Sequence, residues 1–441
     1  MSVPSLVTFS EDLSMISNIF RSVLLSAAFA ASFAATAKDE IFLNAPVLTF
    51  AGALQLAATH SRLMEAGLSQ AAAAREMAVA AGQLPDPILK LGINNLPING
   101  EDRLSLSKDF MTMRSVGVMQ ELTREAKRNA RALRFDKEAE TATANRTLTL
   151  ANLQRATALA WFDRYYQERI VELLQRQRSE IKLQIDAAEA VYRGGRGSLS
   201  DVYAVRSALV QMDDRIAQSE RLVTTAIVQL TRWIGDAAAH PLGSPPEMTR
   251  VNIGDANLEA QLQHHPQITV MAAQENTALA DAELARANKQ ADWTVELMVN
   301  QRGAAYSNMV SINASVPLQW NPASRQDREL AAKLATVAQL RAEREDAVRA
   351  HVAEVRSMLQ EWQNNRARLR RYDDAMLPLA TERARAALAT YRGGATTGGT
   401  LSAVLEARRS EIDIHTDRLR LEMDTARLWA QLNYLTPVSG H

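Results

Sequence analysis

The chain has 441 residues with 50 acidic and 50 basic side chains, so its formal net charge is zero and the basic excess expected of a nucleic-acid binder is missing. It contains no cysteine, which excludes a disulfide framework, a thiolate metal site, a cysteine nucleophile and a lipid anchor on an N-terminal cysteine. Aromatic residues make up 5% of the chain, too few for a protein dominated by β-sheet.

Arg21 precedes a mostly apolar run from Val23 to Ala35, and Ala35-Thr36-Ala37 presents a small-x-small cleavage pattern before Lys38. Residues 1–37 therefore read as an export signal, with a buried N-terminal helix as the alternative. Glu11 and Asp12 are poor signal material, which makes Met15 a candidate start. No stretch reaches about 18 uninterrupted apolar residues, so no transmembrane helix is expected.

Each half of the remaining chain opens with a short helix, expected from Leu48 to Gly82 and again from Ala256 to Lys289. Two strand-like stretches follow each. The first pair is Ile88 to Leu96 and Ser115 to Leu122; the second is Trp293 to Asn300 and Val310 to Leu318. Several alternate: Val116, Val118 and Gln120 fall on one face, Ser115, Gly117 and Met119 on the other. Val295, Leu297 and Val299 alternate with Thr294, Glu296 and Met298, and Ile312, Ala314 and Val316 with Asn313, Ser315 and Pro317. Such alternation over about ten residues is the pattern of a transmembrane β-strand, weak in any single segment.

Long runs without glycine or proline come next: 118–193 and 198–234 in the first half, and 400–436 in the second. Residues 323–392 contain only Pro378, where a kink or break is expected. Glycine costs a helix about 1 kcal/mol and proline about 3 relative to alanine, so these runs predict helices. One of about 70 residues would be roughly 105 Å long, too long for an ordinary globular domain, and must pack as coiled coil. Leu150, Leu153, Thr157 and Trp161 begin its apolar stripe. The intervening glycine clusters at 194–197 and 393–399 predict tight turns between antiparallel helices.

The two halves repeat. Tyr192-Arg193-Gly194-Gly195 returns as Tyr391-Arg392-Gly393-Gly394. After a three-residue insertion in the second turn, Leu199-Ser200-Asp201-Val202, Arg206 and Gln229-Leu230 return 202 residues later as Leu401-Ser402-Ala403-Val404, Arg408 and Gln431-Leu432. The expected organisation is a first repeat at 38–234, a proline-bearing linker at 235–255 and a second repeat at 256–441. The expected fold class is mainly α with a small β part: duplicated long helical hairpins with four strands per chain. Four strands cannot close a membrane barrel, whose smallest form has about eight, and open edges cannot face lipid. Three chains would supply twelve strands; two chains supplying eight is the competing count.

With the segment Gly82-Gln83-Leu84-Pro85-Asp86-Pro87 and the two tip motifs, the chain resembles a TolC-type outer-membrane efflux channel over nearly all of its mature length. Leu84-Pro85-Asp86-Pro87 and Ala291-Asp292-Trp293-Thr294-Val295-Glu296 are similar to the branch serving cobalt–zinc–cadmium and copper–silver efflux. The resemblance implies a homotrimeric tunnel, with a β-barrel in outer-membrane lipid and an α-helical barrel in the periplasm. It also implies two partners: a periplasmic adaptor and an inner-membrane pump of the resistance-nodulation-division type. No cofactor and no chemical transformation are implied. The implied periplasmic tip, gate and adaptor-docking region carries Tyr192, Gly194, Gly195, Gly197, Ser200, Asp201 and Arg206 on the first hairpin. On the second it carries Tyr391, Arg392, Gly393, Gly394 and Arg408. Ala403 stands where a second aspartate could have stood, so any gate relies on one acidic ring, with Arg206 or Arg392 as candidate partners.

His264-His265 is the only histidine pair; adjacent side chains diverge on a helix and Pro266 follows, so incidental imidazoles at a helix start are expected rather than a metal site. No phosphate-cradling loop, nucleophile elbow or convincing catalytic constellation is present. Asp213-Asp214 and Asp373-Asp374 read as solvated helix surface. A soluble or periplasmic coiled-coil scaffold would share the long helices and balanced charge, but not the signal, the paired strands or the matching tips.

Overall fold

A computed structural model describes residues 46–195, 197–253, 258–393 and 400–437. The expected export signal at 1–37 and Gly394 lie outside the described residues.

The first half begins with α1 (Phe50–His60) and α2 (Arg62–Ala81). The single helix expected there is divided at Ser61, whose extended backbone ends α1 and whose carbonyl accepts from Met64 N–H at 3.2 Å to restart the chain. Strands β1 (Ile88–Asn94) and β2 (Met113–Leu122) follow, then α3 (Glu125–Arg193) and α4 (Leu199–Ile234). With 69 residues, α3 is unbroken and about 100 Å long at 1.5 Å per residue.

The second half repeats the order with α5 (Leu258–Leu262), α6 (Pro266–Ala287), β3 (Trp293–Gln301) and β4 (Met309–Ser315). Here too the expected single helix is divided. Pro266 disfavours a helical residue before it, and His265 is accordingly extended and caps α6. The counterpart of α3 is interrupted: α7 (Gln326–Arg371) passes through a π-helical turn (Tyr372–Met376) into α8 (Leu377–Arg392). Pro378, near the start of α8, lacks an N–H and its ring would crowd the carbonyl four residues back, in that turn; the widened turn relieves the clash. The last helix is α9 (Leu401–Asn433).

Packing is concentrated in two places. Where α1, α3 and α9 meet, the Phe50 ring lies edge-on to Trp161 at 5.4 Å and stacked on Phe162 at 5.1 Å. Trp429 and Tyr434 close this aromatic cluster, and the Trp429 indole N–H donates to the Arg250 carbonyl at 2.8 Å, fastening the segment between the halves. Farther out, Ile170, Leu174 and Ile181 of α3 pack with Val205 and Met212 of α4 and with Leu401 and Ile412 of α9. Polar clamps complete the bundle. Asp213 is not simply solvated: Arg178 on α3 donates to it at 2.5 Å and holds its carboxyl below the usual range. Asp373 likewise accepts from Arg418 at 2.6 Å, and it lies in the π-turn rather than in a regular helix.

The four strands form one antiparallel sheet in chain order. Its central pairing, β2 with β3, joins the two halves with Val116 opposite Val299 and Val118 opposite Leu297. Facing residues in such a ladder share a side, so the register sorts the sheet. One face collects Leu89, Leu91, Val116, Val118, Leu297, Val299, Val310 and Ile312. The other carries Lys90, Asn94, Ser115, Glu296, Asn300 and Ser311. The buried Lys127 of α3, 2.5 Å from Asp292 just ahead of β3, ties the foot of the sheet to the helices.

Candidate functional site

Two surfaces are set apart by chemistry: the sheet and the hairpin tips at the far end of α3. Each of the eight aliphatic residues on the apolar sheet face is between 49% and 74% exposed, so nothing among the described residues covers it. The opposite face is knitted by hydrogen bonds. Asn94 Nδ2 donates to Ser115 Oγ at 3.1 Å, Asn300 Nδ2 to Ser311 Oγ at 2.9 Å, and Lys90 Nζ to Glu296 Oε2 at 2.9 Å. The outer edges, β1 and β4, have no partner strand among the described residues. The loops at the free end interlock: the Arg302 guanidinium donates to the carbonyls of Ser307 at 2.8 Å and Phe110 at 3.3 Å.

At the first tip, Gly194 ends α3 and Gly195 takes φ +72°, a conformation that a side chain would strain. The exposed Tyr192 precedes them and Gly197 completes the turn. Ser198 and Asp201 then cap α4 reciprocally: Asp201 N–H donates to Ser198 Oγ at 3.1 Å, and Ser198 N–H donates to Asp201 Oδ2 at 3.3 Å. This satisfies two otherwise orphaned donors and sets a carboxylate against the positive end of the helix dipole. Ser200 is exposed beside it.

At the second tip, Gly393 ends α8, Arg392 is exposed on its last turn, and Thr400 caps α9 by accepting from Ala403 N–H at 3.3 Å. With alanine at 403, the carboxylate half of the box is missing. Tyr391 is packed against the hairpin core and lines a groove of about 360 Å³ with Ala187, Val191, Leu388 and Val404. Burial, and after it the Asp201 carboxylate, raises the Tyr391 phenol above its ordinary pKa. The two tips thus meet within one chain.

Within the chain, two of the tip arginines pair with glutamates of the helical arms. Arg206 Nη2 lies 2.7 Å from Glu189 Oε1 on the opposing arm. Arg408 lies 2.8 Å from Glu411 and 3.8 Å from Glu180 on α3, spanning from the second hairpin to the first. Glu189 and Glu180 escaped the sequence reading because they sit in unremarkable polar stretches of α3; only their helix-facing position relative to Arg206 and Arg408 marks them.

His264 Nδ1 lies 3.3 Å from the Ala260 carbonyl oxygen one turn back in the chain. His265 Nδ1 accepts from Gln267 N–H at 3.2 Å as the cap of α6, and its ring stands 4.1 Å from that of His351 on α7. Among the described residues, no group of three or more His, Asp or Glu side chains is disposed to hold a metal ion, and no helix is long and apolar enough to cross a membrane.

No protein-family model matches the chain, and no curated protein matches it in sequence. Its fold is similar to solved structures. The outer membrane protein VceC from Vibrio cholerae aligns with a TM-score of 0.71 at 16% identity, over 88% of this chain and 95% of that one. The outer-membrane channel OprN aligns at 0.72 and 15% identity, over 88% and 90%. CusC, described in connection with transmembrane channel formation, aligns at 0.70 and 15% identity, over 88% and 92%. At these identities the likeness is one of fold.

Proposed function

We propose that the chain is one protomer of an outer-membrane channel that works as the exit duct of a tripartite efflux pump. The observation that carries this reading is the sheet: an uncovered apolar face, a hydrogen-bonded polar face and two open edges, mounted on helices about 100 Å long. A sheet of that kind is stable in lipid only when closed with its apolar face outward, because each unsatisfied edge group costs several kcal/mol there. Three chains supply twelve strands, enough for a polar lumen. A soluble coiled-coil scaffold would leave the same apolar face in water, against the usual limit on exposed patches.

In this reading residues 1–37 direct export, and the repeats at 38–234 and 256–441 each give half of the sheet and one hairpin. The helical part hangs in the periplasm. The tips around Asp201 and Tyr391 form the closed end and dock the adaptor, which connects to a resistance-nodulation-division pump. The cargo is metal cations or other small toxic compounds; the segments Leu84-Pro85-Asp86-Pro87 and Trp293-Thr294-Val295-Glu296 support the metal side of that choice. The test is cross-linking in native outer membranes together with conductance in planar bilayers. A trimer ladder and discrete conductance steps are expected. A dimer limit overturns the strand count, and recovery as a soluble protein without conductance overturns the channel. Sensitivity of a deletion strain to cobalt, zinc, cadmium, copper or silver tests the cargo.

A further inference from the structure

We infer that Lys90 sets the charge selectivity of the duct by neutralising Glu296 on the lumenal face of the sheet, an inference that rests on the channel reading above. Lys90 is on β1 and Glu296 on β3, with all of β2 between them. Lys90 lies opposite Gly117, and Glu296 lies opposite Met119. The lysine side chain therefore passes over Gly117 to bring Nζ within 2.9 Å of Glu296 Oε2. Gly117 is held to glycine by β3 itself: a Cβ there would lie 2.7 Å from the Leu297 carbonyl oxygen and 3.1 Å from Met298 Cα.

The polar face of the four strands carries three charged side chains: Lys90, Glu121 and Glu296. Lys90 is thus its only cation. The Glu296 side chain is 16% exposed and that of Lys90 38%, so the pair is partly withdrawn from water, where charges are screened less than on an open surface. When the sheet closes with this face inward, symmetry places every copy of the pair at one height in the lumen. Rings of carboxylates select cations, and low-dielectric walls focus their field. With the lysine present each Glu296 is compensated, and cargo of either sign passes this level. Without it, a ring of bare carboxylates adds to the Glu121 ring, and the duct turns cation-selective. Lys90 is the counter-charge of Glu296.

The experiment measures reversal potential across planar bilayers in a tenfold potassium chloride gradient. It uses purified full-length wild type, Lys90→Gln, Lys90→Arg, Glu296→Gln and the double variant Lys90→Gln/Glu296→Gln. Lys90→Gln is expected to raise the cation-to-anion permeability ratio at least twofold, and Glu296→Gln to lower it. Lys90→Arg and the double variant should remain near wild type. Conducting Lys90→Gln channels with an unchanged reversal potential overturn the inference while leaving the channel reading intact. A double variant that behaves like Lys90→Gln also overturns it, because the effect would then not run through Glu296. A wild type that forms no channels overturns the channel reading, and this inference with it.

Discussion

Asp201 on the first hairpin stands close enough to Tyr391 on the second for its carboxylate to reinforce the upward shift that burial imposes on the phenol. The same carboxylate closes the capping box with Ser198. One side chain therefore serves its own helix and faces the neighbouring hairpin, and its two roles can be separated.

Asp201→Asn keeps an oxygen that can accept from Ser198 N–H but removes the charge; Asp201→Ala removes both. The alanine variant should lose about 1 kcal/mol of stability, the ordinary worth of such a cap, and the asparagine variant only a few tenths. If the charge closes the tip, both raise basal conductance in planar bilayers. Conductance equal to wild type in both leaves Asp201 a helix cap.

The aromatic cluster should be the most expensive place to cut. Trp161 is fully buried, with ring centroids 5.4 Å from Phe50, 5.6 Å from Phe162 and 5.3 Å from Tyr165. Trp161→Ala should cost about 3–5 kcal/mol, from lost burial and the cavity left behind. Thermal melting in detergent checks this. A change below about 1 kcal/mol would mean that the helices collapse into the space.

Lys127 and Asp292 join α3 to the foot of β3, with side chains only 8% and 14% exposed. Lys127→Met leaves the carboxylate buried without its counter-charge, with the Arg124 N–H still donating to it at 3.0 Å, a loss of about 3–5 kcal/mol. Lys127→Met/Asp292→Asn should recover much of that, because the stranded charge is gone. A double variant no better than the single one would show that the ion pair itself, rather than the orphaned charge, decides the cost.

Acid should weaken the junction at His265. Burial, then His351 and Arg155, push its imidazole down to about 4, while the Leu435 backbone opposes them weakly. Glu354 on α7 pairs with His351 at 3.3 Å and completes the charged surroundings. Between about pH 4 and 6.5 the unfolded chain holds a proton that the folded chain excludes. Stability from this group is thus full above about 6.5 and falls as pH drops toward 4, with a slope of at most about 1.4 kcal/mol per pH unit. His265→Asn, which retains a capping acceptor for Gln267, should flatten the profile in that window. Parallel wild-type and variant profiles would place the acid sensitivity elsewhere.

Much of this architecture was legible because its causes are local. Helix interiors exclude glycine and proline residue by residue, so the runs around Trp161 and Trp429 announced α3 and α9. Gly195 marks a turn because only glycine adopts its backbone freely. Pro378 marked a disturbance, alternation marked β2, β3 and β4, and all four strands lie within three residues of their expected bounds. The tertiary structure alone decided what lies opposite what. The pairing of Val118 with Leu297, the reach of Lys90 over Gly117, the capture of Arg206 by Glu189 and the facing of His265 by His351 are contacts between distant segments. Each depends on strand register or helix rotation. A one-residue slip would turn every strand side chain to the other face, and no single segment records which register its neighbour holds.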